Sequence, residues 1–126
     1  MERESMEVDV LIVGGGPSGL SAAIKLRQLA EEAAEEISVC VLEKGSEVGA
    51  HILSGAILEP TALNELIENW KEIDDCPVKV PVKCESLKFL TEKNSYNIPG
   101  FFTPSAMHNK GNFIISLGSY CKWLSK

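Results

Sequence analysis

The sequence lacks the features that are typical of chains that bind nucleic acid, span a membrane or hold a metal ion. Its formal net charge is −6 and its lysines and arginines form no cluster, so nucleic-acid binding is not expected. No apolar run approaches the roughly 20 residues that a membrane-spanning helix needs. The four cysteines form no C-x-x-C pair, which favours reduced thiols and no metal site.

We also expect no targeting peptide and no catalytic side chain. Residues 1–9 are acidic and resemble neither a secretory signal nor an arginine-rich transit peptide. No acid, base or nucleophile stands in a pattern that is typical of an active site. With 126 residues, of which 44% are hydrophobic and 24% charged, the chain fits one globular domain of ordinary composition.

A short apolar run that ends in glycines is the most informative stretch. Val8–Val13 is typical of a strand that is buried on both faces of a sheet. Gly14, Gly16 and Gly19 then match the G-x-G-x-x-G spacing of a dinucleotide-binding turn. The first glycine allows a sharp turn, the second allows a pyrophosphate to approach the backbone, and the third allows close packing of helix on strand. A flexible glycine loop without a ligand is the alternative.

The residues after the glycines predict the start of a helix that can bind an anion. Pro17 suits the first helical turn, where its missing N–H group costs nothing. The N–H groups of Ser18 and Gly19 then lie at the positive end of the helix dipole.

A second strand and an acidic residue complete the pattern. We expect a helix over Pro17–Glu36 and a strand over Ile37–Leu42, which form a βαβ unit with parallel strands. Glu43 follows, 24 residues after Gly19, where an acidic side chain contacts the ribose hydroxyls of a dinucleotide. A carboxylate repels a 2′-phosphate, which favours FAD or NAD, although Glu43 could also be merely solvated. Lys44 is expected either over the adenine or in water.

The next segment, Gly45–Gly55, shows neither helical nor strand periodicity and contains three glycines. Because glycine lets the backbone approach a ligand, this loop is a candidate for lining the cofactor. His51 could act as a base there, but no partner residue is visible. We therefore favour a backbone or cofactor contact for His51.

The second half of the chain predicts further elements but no third parallel strand. We expect a helix that begins at Pro60, strands over Leu87–Thr91 and Phe113–Ile115, and a helix that Ser116 caps. A doubly wound sheet needs more parallel strands than two. The fold prediction is therefore an α/β chain, the N-terminal βαβ unit of an incomplete Rossmann-like domain within a larger protein.

Two adjacent aromatic residues stand in a loop rich in proline and glycine. Phe101 and Phe102 lie between Pro99 and Pro104, a stretch with no clear periodicity. One interpretation is that the loop folds back and buries both rings. The other is an exposed apolar patch that contacts a membrane or a partner protein.

These motifs together resemble the N-terminal part of the electron transfer flavoprotein–ubiquinone oxidoreductase family, and the resemblance covers nearly all of the chain after Glu7. The stretches that carry it are VLIVGGGPSGLSAAIKL (10–26), VCVLEK (39–44), VGAHILSGA (48–56), NWKEI (69–73) and HNKGNFIISL (108–117), running into Trp123.

The resemblance implies a membrane-associated enzyme with FAD and a 4Fe-4S cluster, which takes electrons from reduced electron transfer flavoprotein and passes them to ubiquinone. It implies a bacterial or mitochondrial inner membrane as the location, and membrane contact at Phe101 and Phe102. The expected cofactor-binding residues are Gly14, Gly15, Gly16, Pro17, Ser18, Gly19, Glu43, Lys44, His51, Leu53, Ser54 and Gly55.

The same resemblance limits what residues 1–126 are expected to do alone. The cluster cysteines and the quinone site belong to regions outside this chain, so we expect the isolated segment to be inactive. Two alternatives remain, of which the first fits the glycine spacing and Glu43 equally well and the second is favoured by the missing third strand. The first is a fragment of an NAD-dependent Rossmann dehydrogenase, and the second is a truncated product without catalytic function.

Overall fold

The computed structural model describes residues 5–126, so part of the acidic segment over residues 1–9 lies outside the described residues. The strands and helices, in chain order, are β1 (Val10–Val13), α1 (Pro17–Ala33), β2 (Val39–Leu42), β3 (Gly55–Leu58), α2 (Thr61–Leu66), β4 (Val80–Pro81), β5 (Leu87–Leu90), β6 (Ser95–Ile98), β7 (Phe113–Ser116) and α3 (Leu117–Leu124). Short 3₁₀ turns lie at Trp70–Glu72, Gly100–Phe102 and Ser105–Met107.

The βαβ unit that the sequence predicts is confirmed. Strand β1 pairs in parallel with β2, so that Val10 lies opposite Val39 and Val13 opposite Leu42. Helix α1 connects the two strands. A further backbone bond extends the pairing past β1, because the Gly14 N–H donates to the carbonyl of Leu42 at 2.7 Å.

Two other sheets are antiparallel. Strand β7 is the centre of a three-stranded sheet, with β3 on one side and β4 on the other. Strands β5 and β6 form a separate hairpin in which Phe89 lies opposite Tyr96. The sequence predicted neither β3 nor β6. Gly55–Leu58 forms a strand because it pairs with β7, which follows more than 50 residues later.

The ends of the βαβ elements differ from the prediction for local reasons. Helix α1 ends at Ala33, not Glu36, because Ala34 adopts a left-handed conformation with φ of 54° and the Glu35 N–H bonds back to the carbonyl of Ala30. Strands β1 and β2 each begin two residues after the predicted start, because Asp9 and Ser38 bond to each other through their side chains. The Asp9 N–H donates to Ser38 Oγ at 2.9 Å, and the Ser38 N–H donates to Asp9 Oδ2 at 2.8 Å.

The prediction that β1 is buried on both faces is wrong for the described residues. Val10 and Ile12 are partly buried, whereas Leu11 is 53% exposed and Val13 82% exposed. The alternation arises because α1 covers one face of the two-stranded sheet and leaves the other open. Cys40 on β2, predicted as a core residue, is likewise only partly buried.

The core is built from residues of all three helices together with strand β7 of the antiparallel sheet. Its most buried side chains are Leu63, Trp70 and Cys121. The Trp70 ring meets Phe113 edge-on at 5.5 Å between ring centroids. The predicted cap of α3 is confirmed, since Ser116 Oγ accepts a hydrogen bond from the Ser119 N–H. Helix α2 begins at Thr61, with Pro60 as its cap.

Within residues 5–126, no helix is both long enough and apolar enough to cross a lipid bilayer.

Candidate functional site

The glycine turn joins β1 to α1 with the backbone of the strand and the helix in direct contact. Gly14 has φ of 111°, a conformation that residues with a side chain rarely adopt. A Cβ atom placed on Gly19 would lie 2.1 Å from the carbonyl oxygen of Gly14 and 3.1 Å from Ile12 Cγ2. A side chain at position 19 would therefore force the helix away from the strand.

The N-terminus of α1 is open to a ligand. Gly16 caps the helix with φ of −82° and ψ of 179°, and Pro17 is the first helical residue. In the described part of the chain, no side chain bonds to this helix end. The N–H groups of Ser18 and Gly19 have no acceptor within the helix. A Cβ atom on Gly16 would meet nothing within 4 Å, so the space in front of these amides is free.

Glu43 lies beside the glycine turn. Its Oε2 atom accepts a hydrogen bond from the Gly15 N–H at 2.8 Å, and its Oε1 atom accepts one from the Gly45 N–H at 2.7 Å. The Gly45 and Gly15 amides together lower the pKa of the Glu43 carboxyl group, so it is ionised at neutral pH. Each carboxylate oxygen accepts more than one hydrogen bond, which leaves acceptor positions for a ligand hydroxyl.

Gly15 is the buried residue of the turn and links it to the following loop. A Cβ atom on Gly15 would lie 3.0 Å from Glu43 Oε2 and 3.2 Å from Val48 Cγ2. The sequence does not predict Gly45 as a donor to Glu43 or Val48 as a neighbour of Gly15. A glycine two residues after an acidic strand end was the available signal for the first contact.

The other predicted contact residues lie farther along the loop, and the structure connects them to the turn less directly. His51 is exposed, and its charge contributes to the lowered pKa of Glu43. Lys44 and Ser54 are exposed, Leu53 is 98% exposed, and Gly55 begins β3. Among the described residues, no hydrogen bond joins His51, Lys44 or 53–55 to Gly14–Gly19.

Phe101 and Phe102 lie in a 3₁₀ turn that follows β6. Their side chains are 81% and 73% exposed, and their ring centroids are 4.3 Å apart. The interpretation in which the loop buries both rings is wrong. The turn is closed by His108, whose Nε2 atom lies 2.7 Å from Thr103 Oγ1 and 3.2 Å from the Gly100 carbonyl oxygen.

The chemistry available at the glycine turn is binding rather than acid–base catalysis. Its free amides and its helix dipole favour an anion, and the Glu43 carboxylate favours hydroxyl groups. Over residues 5–126, no group of three or more histidine, cysteine or acidic side chains converges on a point where a metal ion could bind.

Comparison with known proteins places these residues in a family. A family model described as NAD(P)-binding Rossmann-like domain matches residues 12–74, which is half of the chain. That segment contains the glycine turn, Glu43 and the loop that follows.

The chain is also similar, over essentially its whole length, to the N-terminal region of longer proteins. It is 58% identical over 127 residues to the electron transfer flavoprotein-ubiquinone oxidoreductase of Pseudomonas aeruginosa, and the match covers 100% of this chain and 23% of that protein. The probable electron transfer flavoprotein-ubiquinone oxidoreductase of Acinetobacter baylyi is 57% identical over 128 residues, covering 100% and 22%. A mitochondrial relative of that name from Dictyostelium discoideum is 56% identical over 124 residues, covering 98% and 20%. The chain thus spans about a fifth of the length of these curated relatives.

Proposed function

This chain belongs to the family of NAD(P)-binding Rossmann-like domains, and from that premise we propose that it is the FAD-binding segment of an electron-transfer oxidoreductase. In the proposed protein, electrons pass from reduced electron transfer flavoprotein to ubiquinone. The proposal extends to domain organisation, with residues 1–126 as the N-terminal part of the FAD-binding domain. The quinone site and a 4Fe-4S cluster are proposed for regions outside this chain.

The observation that carries the proposal is the position of Glu43 beside the glycine turn. A dinucleotide needs donors for its diphosphate and acceptors for its ribose a short distance away. The open helix start at Gly16 offers the donors, and Glu43, bonded to Gly15, offers the acceptors. In this assignment Ser18 and Gly19 donate to the diphosphate, and Glu43 accepts from the ribose.

A flavin is favoured over a nicotinamide by the relatives. Proteins that are 56–58% identical to this chain are named as ubiquinone oxidoreductases for electron transfer flavoprotein. When bound, FAD supplies the redox chemistry of such a reaction, while the protein binds and orients it. NAD remains the second candidate, because the matching family is described as NAD(P)-binding and Glu43 suits the ribose of either cofactor.

The membrane surface is proposed as a further partner. The exposed Phe101 and Phe102 rings form a compact apolar pair at the end of the β5–β6 hairpin. Aromatic side chains of this kind insert into the interfacial region of a bilayer. The hairpin carries two more exposed aromatic side chains, Phe89 and Tyr96, which are paired across its strands.

The test is a titration of the purified chain with FAD, in which binding is monitored by the change in flavin fluorescence. We expect saturable binding, weakened about tenfold or more in Glu43→Gln, since a hydrogen bond to a charged group contributes about 1.5–3 kcal/mol. Glu65→Gln, on an exposed face of α2, is the matched control and leaves the affinity unchanged.

The same titration separates the candidate cofactors. NAD and NADP are added as competitors, and FAD is expected to be displaced by neither at equal concentration. Displacement by NAD would assign the site to a dehydrogenase. Binding of FAD that is equally strong in the wild type and in Glu43→Gln would contradict the proposed ribose contact.

A further inference from the structure

We infer that Gly118 and Lys122 of helix α3 are positioning residues that hold the loop 45–55, here called the cofactor loop, against the glycine turn. The inference rests on the proposed function, because it assigns these residues to the geometry of the same site. Its basis is a direct contact between two backbone segments of the chain, one in the cofactor loop and one in α3, that are far apart in sequence.

Gly49, inside the cofactor loop, touches the first turn of α3. It has φ of 85°, and a Cβ atom built on it would lie 2.6 Å from the carbonyl oxygen of Gly118. The reciprocal atom on Gly118 would lie 3.2 Å from the carbonyl oxygen of Gly49 and 3.7 Å from that of Ile52. A side chain at Gly49 would force the loop and the helix apart, whereas a Cβ atom at Gly118 would require the Gly49 carbonyl to move by a few tenths of an ångström.

An ion pair reinforces this contact one helical turn farther on. Lys122 Nζ lies 2.7 Å from Glu47 Oε2, and Lys122 is on the same face of α3 as Gly118 because it follows four residues later. Both side chains are well exposed, so the pair contributes little energy by itself. Its effect is to fix the direction of the loop at a second point.

The contact is transmitted to the candidate site through neighbouring residues. Val48 precedes Gly49 in the chain and packs against Gly15, within 3.2 Å of where a Gly15 Cβ atom would stand. Two backbone bonds cross the loop, since the Ala50 N–H donates to the Glu47 carbonyl at 3.2 Å and the Ile52 N–H donates to the Gly49 carbonyl at 3.1 Å. We therefore expect a shift of Gly49 to displace Val48, which packs against Gly15.

The decisive variant is Gly118→Ala, and its matched control is Gly100→Ala. A Cβ atom on Gly100 would meet nothing within 4 Å, so this variant makes the same chemical change without a collision. Two quantities are measured in the full chain, namely hydrogen–deuterium exchange of the amides of residues 45–55 and the dissociation constant for FAD. We expect faster exchange across the loop and a few-fold rise in the dissociation constant for FAD in Gly118→Ala, because the Gly49 carbonyl must move by a few tenths of an ångström to accept the new methyl group. We expect neither change in Gly100→Ala.

A charge reversal provides a second arm in case Gly118→Ala does not fold. Lys122→Glu places a like charge beside Glu47, and Lys110→Glu is the control on an exposed loop. We expect a few-fold weaker FAD binding in Lys122→Glu only, and recovery of affinity at 1 M salt, where the Debye length is about 3 Å.

The outcomes for the two proposals are distinguishable. If the wild-type chain does not bind FAD but loop exchange rises only in Gly118→Ala, the FAD assignment fails and the positioning role stands. If the wild type binds FAD and Gly118→Ala changes neither loop exchange nor affinity, the positioning role is refuted and the FAD assignment stands.

Discussion

The two glycines that flank Pro17 and Ser18 are expected to respond in opposite ways to the same substitution. Gly19→Ala places a methyl group between α1 and β1, whereas Gly16→Ala places one in the open space before the helix amides. The first change perturbs the packing of the helix on the strand and adds no atom to the space in front of the amides. The second leaves packing intact and obstructs the approach of a diphosphate.

The magnitudes follow from the distances. The new Cβ atom at Gly19 would be 2.1 Å from the Gly14 carbonyl oxygen, whereas such contacts are essentially never below 3.0 Å, so the helix must withdraw by about 1 Å. Overpacking of this kind costs about 3 kcal/mol, offset by at most about 1 kcal/mol of improved helix propensity. We expect Gly19→Ala to lower the free energy of unfolding by about 2 kcal/mol. Gly16→Ala lowers it by about 0.5 kcal/mol, because alanine is a poorer N-cap than glycine.

The assay combines urea denaturation with FAD titration of the wild type and both variants. Gly16→Ala is expected to weaken FAD binding about tenfold or more while its denaturation midpoint stays near that of the wild type. A Gly19→Ala variant as stable as the wild type would refute the packing argument. Unaltered FAD affinity in Gly16→Ala would refute the diphosphate assignment, even if the stability changes came out as expected.

Three further predictions concern the membrane surface and acid sensitivity. Replacing Phe101 and Phe102 together by serine is expected to reduce co-sedimentation with phosphatidylcholine vesicles several-fold without changing the denaturation midpoint; unchanged sedimentation would remove the membrane assignment. The pKa of Glu43 is lowered by its amide donors, so its contribution to stability is fully present above the ordinary pKa of a glutamate and is lost as the pH falls through the lowered pKa of the folded protein, and Glu43→Gln is expected to flatten that acidic part of a pH–stability profile. Ser38 lowers the pKa of Asp9 in the same sense, so Ser38→Ala should reduce the denaturation midpoint slightly at pH 7 and by less once Asp9 is protonated, when the lost bond from the Asp9 N–H to Ser38 Oγ is the main remaining effect.

The parts of the fold that the sequence predicts well are those set by neighbouring residues. The strand, glycine turn and helix over residues 10–33 follow each other directly, and parallel pairing of β1 with β2 follows from the helix between them. The sequence predicts the end of α1 three residues too far along, because the helix ends at Ala33 and Ala34 adopts a left-handed conformation for which glycine is the usual signal. Ser95–Ile98 was missed because its strand exists only through pairing with β5.

The candidate site also combines local features, which the sequence predicts, with long-range contacts, which it does not. The spacing of Gly14, Gly16 and Gly19 and the position of Glu43 are visible in the sequence, because the turn and the strand end are local features. The contact between Gly49 and Gly118 joins positions that are 69 residues apart, and no pattern of apolar residues in the sequence predicts it. This contact depends on the pairing of β3 with β7, because β3 follows the cofactor loop in the chain and α3 follows β7.

Contacts within the chain itself hold the described residues of the candidate site in place. Glu43 is held by two backbone amides, so its carboxylate needs no rearrangement to present its remaining acceptor positions. Gly15 is fixed between that carboxylate and Val48, and Val48 in turn is fixed by the loop that α3 supports. Binding to a preformed site avoids the entropic cost of ordering a loop. For the proposed FAD, affinity should therefore depend on residues such as Gly118 that need never touch the cofactor.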